Sequence, residues 1–393
     1  MSRDMLDRLI AGTLPDPDGG GMLSTPLKTI VIGRGLGDEA AALVRPLPLG
    51  RRLAVVMDPD TRLALGERVA VALHGGGLDV DKIILPRHPH PDMDAVRSVI
   101  ARTQGASGLV AVGSGSINDI TKYAAYLSDR PYAVFGTAPS MNGYTSVSAA
   151  ITEDGLKKSL SARLPVGVFL DLEVMVRAPH RLVAGFGDSM ARPTAQTDWL
   201  MAHLLLGTPY REAPFMLLAE DEEALVAKAG DLRNGDIGAM EVLVRTLVMS
   251  GLGMTLCGGS YPASQGEHLI AHYMDMRGKD LPEAHHGEHI AVTTLTMARL
   301  QERVLALPGL RLSPTRDTPE RFESIFGKAL GRSCWEAFRP KLLGEDRLDA
   351  INAVLDRQWP SFRERLLYVH RPASEIAAAL KAERDLQFDY LGL

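Results

Sequence analysis

Residues 266–289, GEHLIAHYMDMRGKDLPEAHHGEH, hold five of the 11 histidines in a chain of 393 residues. Imidazole binds divalent metals and moves protons near neutral pH, so such crowding points to one of those tasks. His268 and His272 are four positions apart and share a face if the segment is helical. His286 follows His268 by 18 residues, beyond a break marked by Gly278 and Pro282. Two imidazoles and one carboxylate would give a divalent metal three protein ligands and leave a coordination position open for chemistry. Singly, each histidine reads more simply as a satisfied polar group; the density of the cluster favours a metal. Asp188 in GFGDSMAR (185–192) is a carboxylate among small and apolar neighbours, so it is expected to be buried and to need a partner. A helix cap is its plainer role.

Three further stretches suit a nucleotide. In AVGSGSINDITKYAA (111–125), Gly113 and Gly115 end an apolar run and a helix is expected from near Asn118. Backbone amides at such a helix start can cradle a phosphate, and glycine lets the chain approach it. The GxGxxxD pattern is short of the full GxGxxG fingerprint and equally fits a tight strand-to-helix turn. In LAVVMDPDT (53–61), Asp58 ends an apolar run. A carboxylate there can hold the adenosine ribose hydroxyls of NAD and would repel the extra phosphate of NADP; a turn aspartate beside Pro59 is the commoner outcome. FGTAPSMNGYTSVSAAI (135–151) reads as an irregular loop unusually rich in hydroxyls, which suits a cofactor or sugar phosphate as well as a generic polar loop.

The elements that must position these residues are legible in outline. KTIVIG (28–33), LAVVMD (53–58), KIILP (82–86), GLVAVGSGS (108–116) and YAVFGTAPS (132–140) are short apolar runs closed by glycine, proline or aspartate. VFLDLEVM (168–175) reads as the last strand of the series. Helical patterns lie between most of them, which predicts a parallel sheet covered on both faces. Ligands of such sheets bind at the carboxyl ends of the strands. Beyond residue 177 the pattern turns to amphipathic stretches: 190–206, 239–254, 289–307, 321–331 and 374–386. The expected division is therefore 1–177, an α/β dinucleotide-binding domain, and 178–393, a helical domain.

Composition narrows the function classes. A net charge of −5 with no basic run gives no nucleic-acid footprint. Two cysteines, Cys257 and Cys334, cannot build a disulfide framework and suit a reducing compartment. The N-terminal MSRDMLDRLIAGTLPDPDGGG lacks the apolar core of a signal peptide, and no apolar run is expected to reach membrane-spanning length. The expectation is a cytoplasmic protein without membrane or nucleic-acid partners.

The ordered set GSGSINDITKYA, GTAPSMNGYTS, GFGDSMARPTAQTDW, SQGEHLIAH and HHGEHIAV resembles the sn-glycerol-1-phosphate dehydrogenases, particularly bacterial ones, of the iron-containing alcohol dehydrogenase and dehydroquinate synthase superfamily. The resemblance covers nearly the whole chain. It implies a dehydroquinate synthase-like fold: a Rossmann-like nucleotide-binding domain, then an all-α domain, with the active site between them. It implies Asp188, His268 and His286 as ligands of one divalent metal, zinc or nickel, with His272 facing the substrate beside Asp188. Gly113, Gly115, Ser116, Ile117, Asn118 and Asp119 would line the pyrophosphate. Thr137, Ala138, Pro139, Ser140 and Ser146 would complete the cofactor site, and Asp58 would hold the ribose, favouring NAD(H) over NADP(H). The implied reaction interconverts dihydroxyacetone phosphate and sn-glycerol 1-phosphate, as in phospholipid metabolism, in a homodimer. One position departs: where the family has SMDGYTS, with an aspartate on the substrate, this chain has Asn142. Lys157 and Lys158 in EDGLKKS are candidates for the substrate phosphate, at least one of them expected to be merely solvated. Alternatives are a polyol dehydrogenase acting on an unphosphorylated substrate, a dehydroquinate-synthase-like lyase, and a non-catalytic relative.

Overall fold

The computed structural model describes residues 2–179, 184–277 and 284–383. The loop carrying Gly278 and Pro282 lies outside the described residues. Eight strands matter to the site: β1 (Ile30–Gly33), β2 (Arg52–Met57), β3 (Asp79–Ile84), β4 (Gly108–Gly113), β5 (Tyr132–Gly136), β6 (Ser148–Glu153), β7 (Leu156–Ser161) and β8 (Gly167–Asp171). Six form one sheet in the order β1-β8-β5-β4-β2-β3, and every pairing in it is parallel. β4, β5 and β8 are buried along their whole length, as both faces of a parallel sheet require. Their alternate residues enter different cores: Leu109, Ala111, Val134 and Leu170 join one cluster, and Val110, Val112, Phe135 and Phe169 the other. That alternation is the period-two geometry of a strand. Register sets Gly113 of β4 beside Gly136 of β5, so both chain exits open at the same edge.

Three expectations needed correction here. The run 168–175 is not one strand: β8 stops at Asp171, whose carboxylate caps the helix Leu172–Val176 by accepting the Glu173 N–H at 3.1 Å. The loop expected over 135–151 ends earlier, since residues 148–151 already lie in β6, and EDGLKKS continues the antiparallel hairpin β6–β7, turned at Asp154 (φ 52°) and Gly155 (φ 76°). An Asp-Gly pair takes this left-handed turn at little steric cost and is a strong hairpin signal. The stretch 321–331 is two helices, Pro319–Phe326 and Lys328–Phe338, parted at Gly327.

The elements that carry the site are five helices: α1 (Gly115–Leu127), α2 (Gly185–Met190), α3 (Ile237–Leu256), α4 (Gly266–Arg277) and α5 (His286–Leu305). All described elements after β8 are helical. α3 is long and apolar enough to cross a membrane by length and composition alone, although Glu241 and Arg245 interrupt its apolar run. Its most apolar window is 78% buried inside the protein, and it packs against α2 and the loop before β6. Those contacts make it the core helix of the second half, because burial against protein satisfies an all-round apolar surface as lipid would. Both cysteines are free thiols.

Candidate metal and nucleotide site

Asp188, His268 and His286 come from three helices, and each offers a ligand atom within 4.8 Å of the other two. Glycine brings the helices that close. A Cβ on Gly187 would collide with the Gly287 carbonyl, and one on Gly287 with the Ala184 carbonyl. α2 and α5 therefore cross backbone to backbone. Asp188 and His286, each next to one of these glycines, end up facing a common point. The imidazoles of His268 and His286 are 5.4 Å apart, and each lies 6.3 Å from that of His272. The helix cap considered for Asp188 does not occur, since this residue lies inside α2 and is buried.

The donor set fits a cation. Asp188 Oδ1 and His286 Nδ1 are buried polar atoms without a hydrogen-bond partner, and such atoms are costly unless something satisfies them. Asp188 Oδ1 lies 3.4 Å from His268 Nε2. Burial opposes a charge on His268, yet the Asp188 and Glu267 carboxylates push its pKa up to about 9. Burial lowers His286 well below the usual imidazole value, with the charges of Lys157, His268 and His272 adding to the effect. Burial also takes His272 down to about 4, helped by Lys157 and His268, so it is neutral at pH 7.

Residues that the sequence did not single out position these candidate donors. Glu267 is fully buried and sets Oε1 2.8 Å from His268 Nδ1. A carboxylate behind an imidazole fixes its tautomer and orientation and raises its basicity. Asp198 accepts the Gly266 N–H at 3.1 Å, anchoring the start of α4. The repeated GEH at 266–268 and 287–289 was the available signal for Glu267.

On the α/β side, α1 begins at Gly115, earlier than expected. Ser114 gives it no side-chain cap, and the Gly115 N–H is taken by Ser140, which leaves the Ser116 and Ile117 amides of its first turn to face an anion. Ile117 and Asn118 are buried, and Asn118 donates to Asp119 at 3.2 Å. Asp119 accepts the Ala150 N–H of β6 at 3.1 Å, and burial raises its pKa to about 6 against the pull of Lys122. Its carboxylate thus ties α1 to the hairpin. The loop after β5 is fastened at every predicted position. Thr137 N–H donates to the Gly113 carbonyl at 3.1 Å, the Ala138 carbonyl accepts Tyr144 O–H at 2.8 Å, and the Pro139 carbonyl accepts Gly185 N–H at 3.0 Å. Ser140 Oγ accepts Gly115 N–H at 3.3 Å. Ser146 is buried beneath the loop, where its hydroxyl donates to backbone carbonyls.

Lys122, also missed, explains the loop's shape. Its fully buried ammonium donates to the carbonyls of Gly143 (2.6 Å), Ser148 (2.9 Å) and Ser146 (3.1 Å). Burial lowers its pKa to about 8, with Asp119 opposing. Asn142 joins the two halves: its N–H donates to Asp188 Oδ2 at 3.1 Å, and its side-chain amide to Ser250 Oγ of α3 at 3.3 Å. Asp58 caps the helix after β2, accepting the Thr61 N–H at Oδ1 (2.8 Å). Lys157 reaches α4, whereas Lys158 pairs with Glu153 of its own hairpin at 2.8 Å.

A family model described as iron-containing alcohol dehydrogenase matches residues 31–179. A glycerol-1-phosphate dehydrogenase (NAD(P)+) from Pyrococcus abyssi is 34% identical over 70% of this chain and 78% of its own length. The Bacillus velezensis protein of the same name is 31% identical over 66% and 68%.

The chain belongs to the glycerol-1-phosphate dehydrogenase family.

Members from both bacteria and archaea are therefore among its relatives, and the Bacillus subtilis protein of that name is 29% identical over 79% of this chain and 82% of its own. Solved structures agree on the fold. Glycerol dehydrogenase from Schizosaccharomyces pombe aligns with a TM-score of 0.57 at 19% identity, over 90% of this chain and 88% of that one. A probable glycerol dehydrogenase from Sinorhizobium meliloti gives 0.57 at 20%, over 87% and 96%. The expected dehydroquinate synthase-like architecture, a parallel α/β part followed by a helical part, is the fold of this family member.

Proposed function

We propose that the protein interconverts dihydroxyacetone phosphate and sn-glycerol 1-phosphate by hydride transfer with NAD(P)(H), using one divalent metal held by Asp188, His268 and His286. The observation that carries the reading is the convergence of these three buried donors, two with unpartnered polar atoms, facing the loop that follows β5. Relatives named glycerol-1-phosphate dehydrogenase (NAD(P)+) supply the substrate and the cofactor class. A divalent ion there, zinc or nickel, supplies Lewis acidity toward the substrate oxygen. Nicotinamide supplies the hydride.

The residues present account for the rest. Reduction adds a hydride to the ketone carbon and a proton to its oxygen. His272, neutral at pH 7 and beside His268 and His286, holds a substrate hydroxyl and passes a proton between it and solvent. Glu267 keeps the His268 ring turned toward Asp188. Asn142 fixes Asp188 through its backbone, and its side chain is held by Ser250. The amides opening α1 cradle the pyrophosphate, as does the turn from Gly113 to Ser116. Asp58, at the carboxyl end of β2, supports a preference for NAD(H), because a carboxylate there repels a 2′-phosphate.

The test follows NADH absorbance with dihydroxyacetone phosphate and with unphosphorylated ketones, then identifies the product enantiomer. Preferred turnover of the phosphorylated ketone to the sn-1 product is expected. Exclusive turnover of unphosphorylated ketones would replace this reading with that of a polyol dehydrogenase.

A further inference from the structure

Side chains alternate across a strand, so Lys157 and Lys158 leave β7 on opposite faces. Lys158 stays on its hairpin with Glu153. Lys157 crosses to the helical half: its Nζ lies 2.5 Å from Asp275 Oδ2 on α4, with the side chain only 20% exposed. Asp275 turns its other oxygen to His289 Nδ1 of α5, at 2.8 Å. His268, His272 and Asp275 follow at intervals of four and three residues, which puts them on one face of α4. Asp275 lies about 4.5 Å further along the axis than His272. The buried Lys122, unlike Lys157, is committed to three backbone carbonyls. The histidine face therefore has Asp188 and His268 at one end and a positioned ammonium at the other.

We propose that Lys157, positioned by Asp275 and His289, anchors the substrate phosphate, and that Lys158 does not. This rests on the dihydroxyacetone phosphate reading above. An ammonium carries three donors. Asp275 takes one and fixes the flexible stem, which leaves two for phosphate oxygens. His289 holds Asp275 from behind, so Asp275 and His289 are positioning residues.

The experiment measures kcat and KM for dihydroxyacetone phosphate and for dihydroxyacetone, together with inhibition by inorganic phosphate. Lys157→Met is expected to raise KM for the phosphorylated ketone roughly 10- to 100-fold, the range of a lost hydrogen bond to a charged group. It should weaken inorganic phosphate inhibition by a similar factor and leave kinetics on dihydroxyacetone close to wild type. Lys157→Arg should recover part of the loss, and Lys158→Met should behave as wild type. Asp275→Asn should raise the same KM by less, with kcat little changed. An unchanged KM in Lys157→Met would overturn the inference, as would equal losses on both ketones or undiminished inhibition by phosphate. A wild-type enzyme inert toward dihydroxyacetone phosphate would overturn the substrate reading itself, and this inference with it.

Discussion

Where β4 and β5 end, the site is made of backbone; where α2, α4 and α5 meet, it is made of side chains. On the first side the proposed nucleotide-binding groups are amides opening α1, beside a loop whose carbonyls are gathered by Lys122. On the second side they are Asp188, His268 and His286, each backed by a specific neighbour or a glycine crossing. The difference follows from the ligands. A pyrophosphate is large, anionic and satisfied by many amides, whatever side chains those residues carry. A metal needs a few deprotonated donors at fixed distances, and only particular side chains supply them.

That contrast sets an order of mutational cost. The largest losses belong to the side-chain half. Asp188→Ala or His268→Ala should lower kcat/KM by roughly 1,000-fold, since Lewis-acid stabilisation is worth several kcal/mol. Steady-state kinetics on the folded variant would show it, and a loss under tenfold would break the contrast. Lys122→Met comes next, because its ammonium gathers three carbonyls of the backbone half. It strands buried carbonyls and should cost about 3 kcal/mol of stability, read as a lower midpoint in chemical denaturation. Glu267→Gln keeps the shape behind His268 but drops the charge, and should weaken metal affinity about 10- to 100-fold in a competition titration with a chromophoric chelator. The smallest effects belong to hydroxyls of the backbone half. Ser116→Ala and Ser140→Ala should each change the NADH dissociation constant by less than about fivefold, measured by quenching of protein fluorescence. A hundredfold loss in either would mean that side chains, not amides, hold the nucleotide.

The same contrast governs what could be read without coordinates. The histidine cluster was legible because imidazoles are scarce and carry few structural duties. The glycine turn at Gly113–Gly115 was legible because it ends an apolar run. Glu267 escaped notice because neighbours in a helix sequence do not usually face each other, yet its carboxylate folds back onto the His268 ring. Lys122 escaped because a lysine in a helix normally reads as exposed, and nothing local announces three waiting carbonyls contributed by residues 143–148. The first residues of β6 read as part of the preceding loop because their hydroxyls mask apolar alternation, although Asp154-Gly155 marks the hairpin turn. α3 shows the converse: composition alone does not tell a core helix from a membrane one, and only its burial against protein decides. Asn142 stood out as a departure on the substrate. The structure gives its side chain a different partner, Ser250, and gives its backbone the task of holding Asp188.

The most direct test of the account is metal content measured alongside turnover, in wild type and in His268→Ala. The account predicts a single divalent ion per wild-type chain. Chelation should abolish NADH oxidation by dihydroxyacetone phosphate, added zinc or nickel should restore it, and folded His268→Ala should show neither the ion nor the activity. Full turnover by chelator-stripped wild type, or stoichiometric metal retained in His268→Ala, would contradict it.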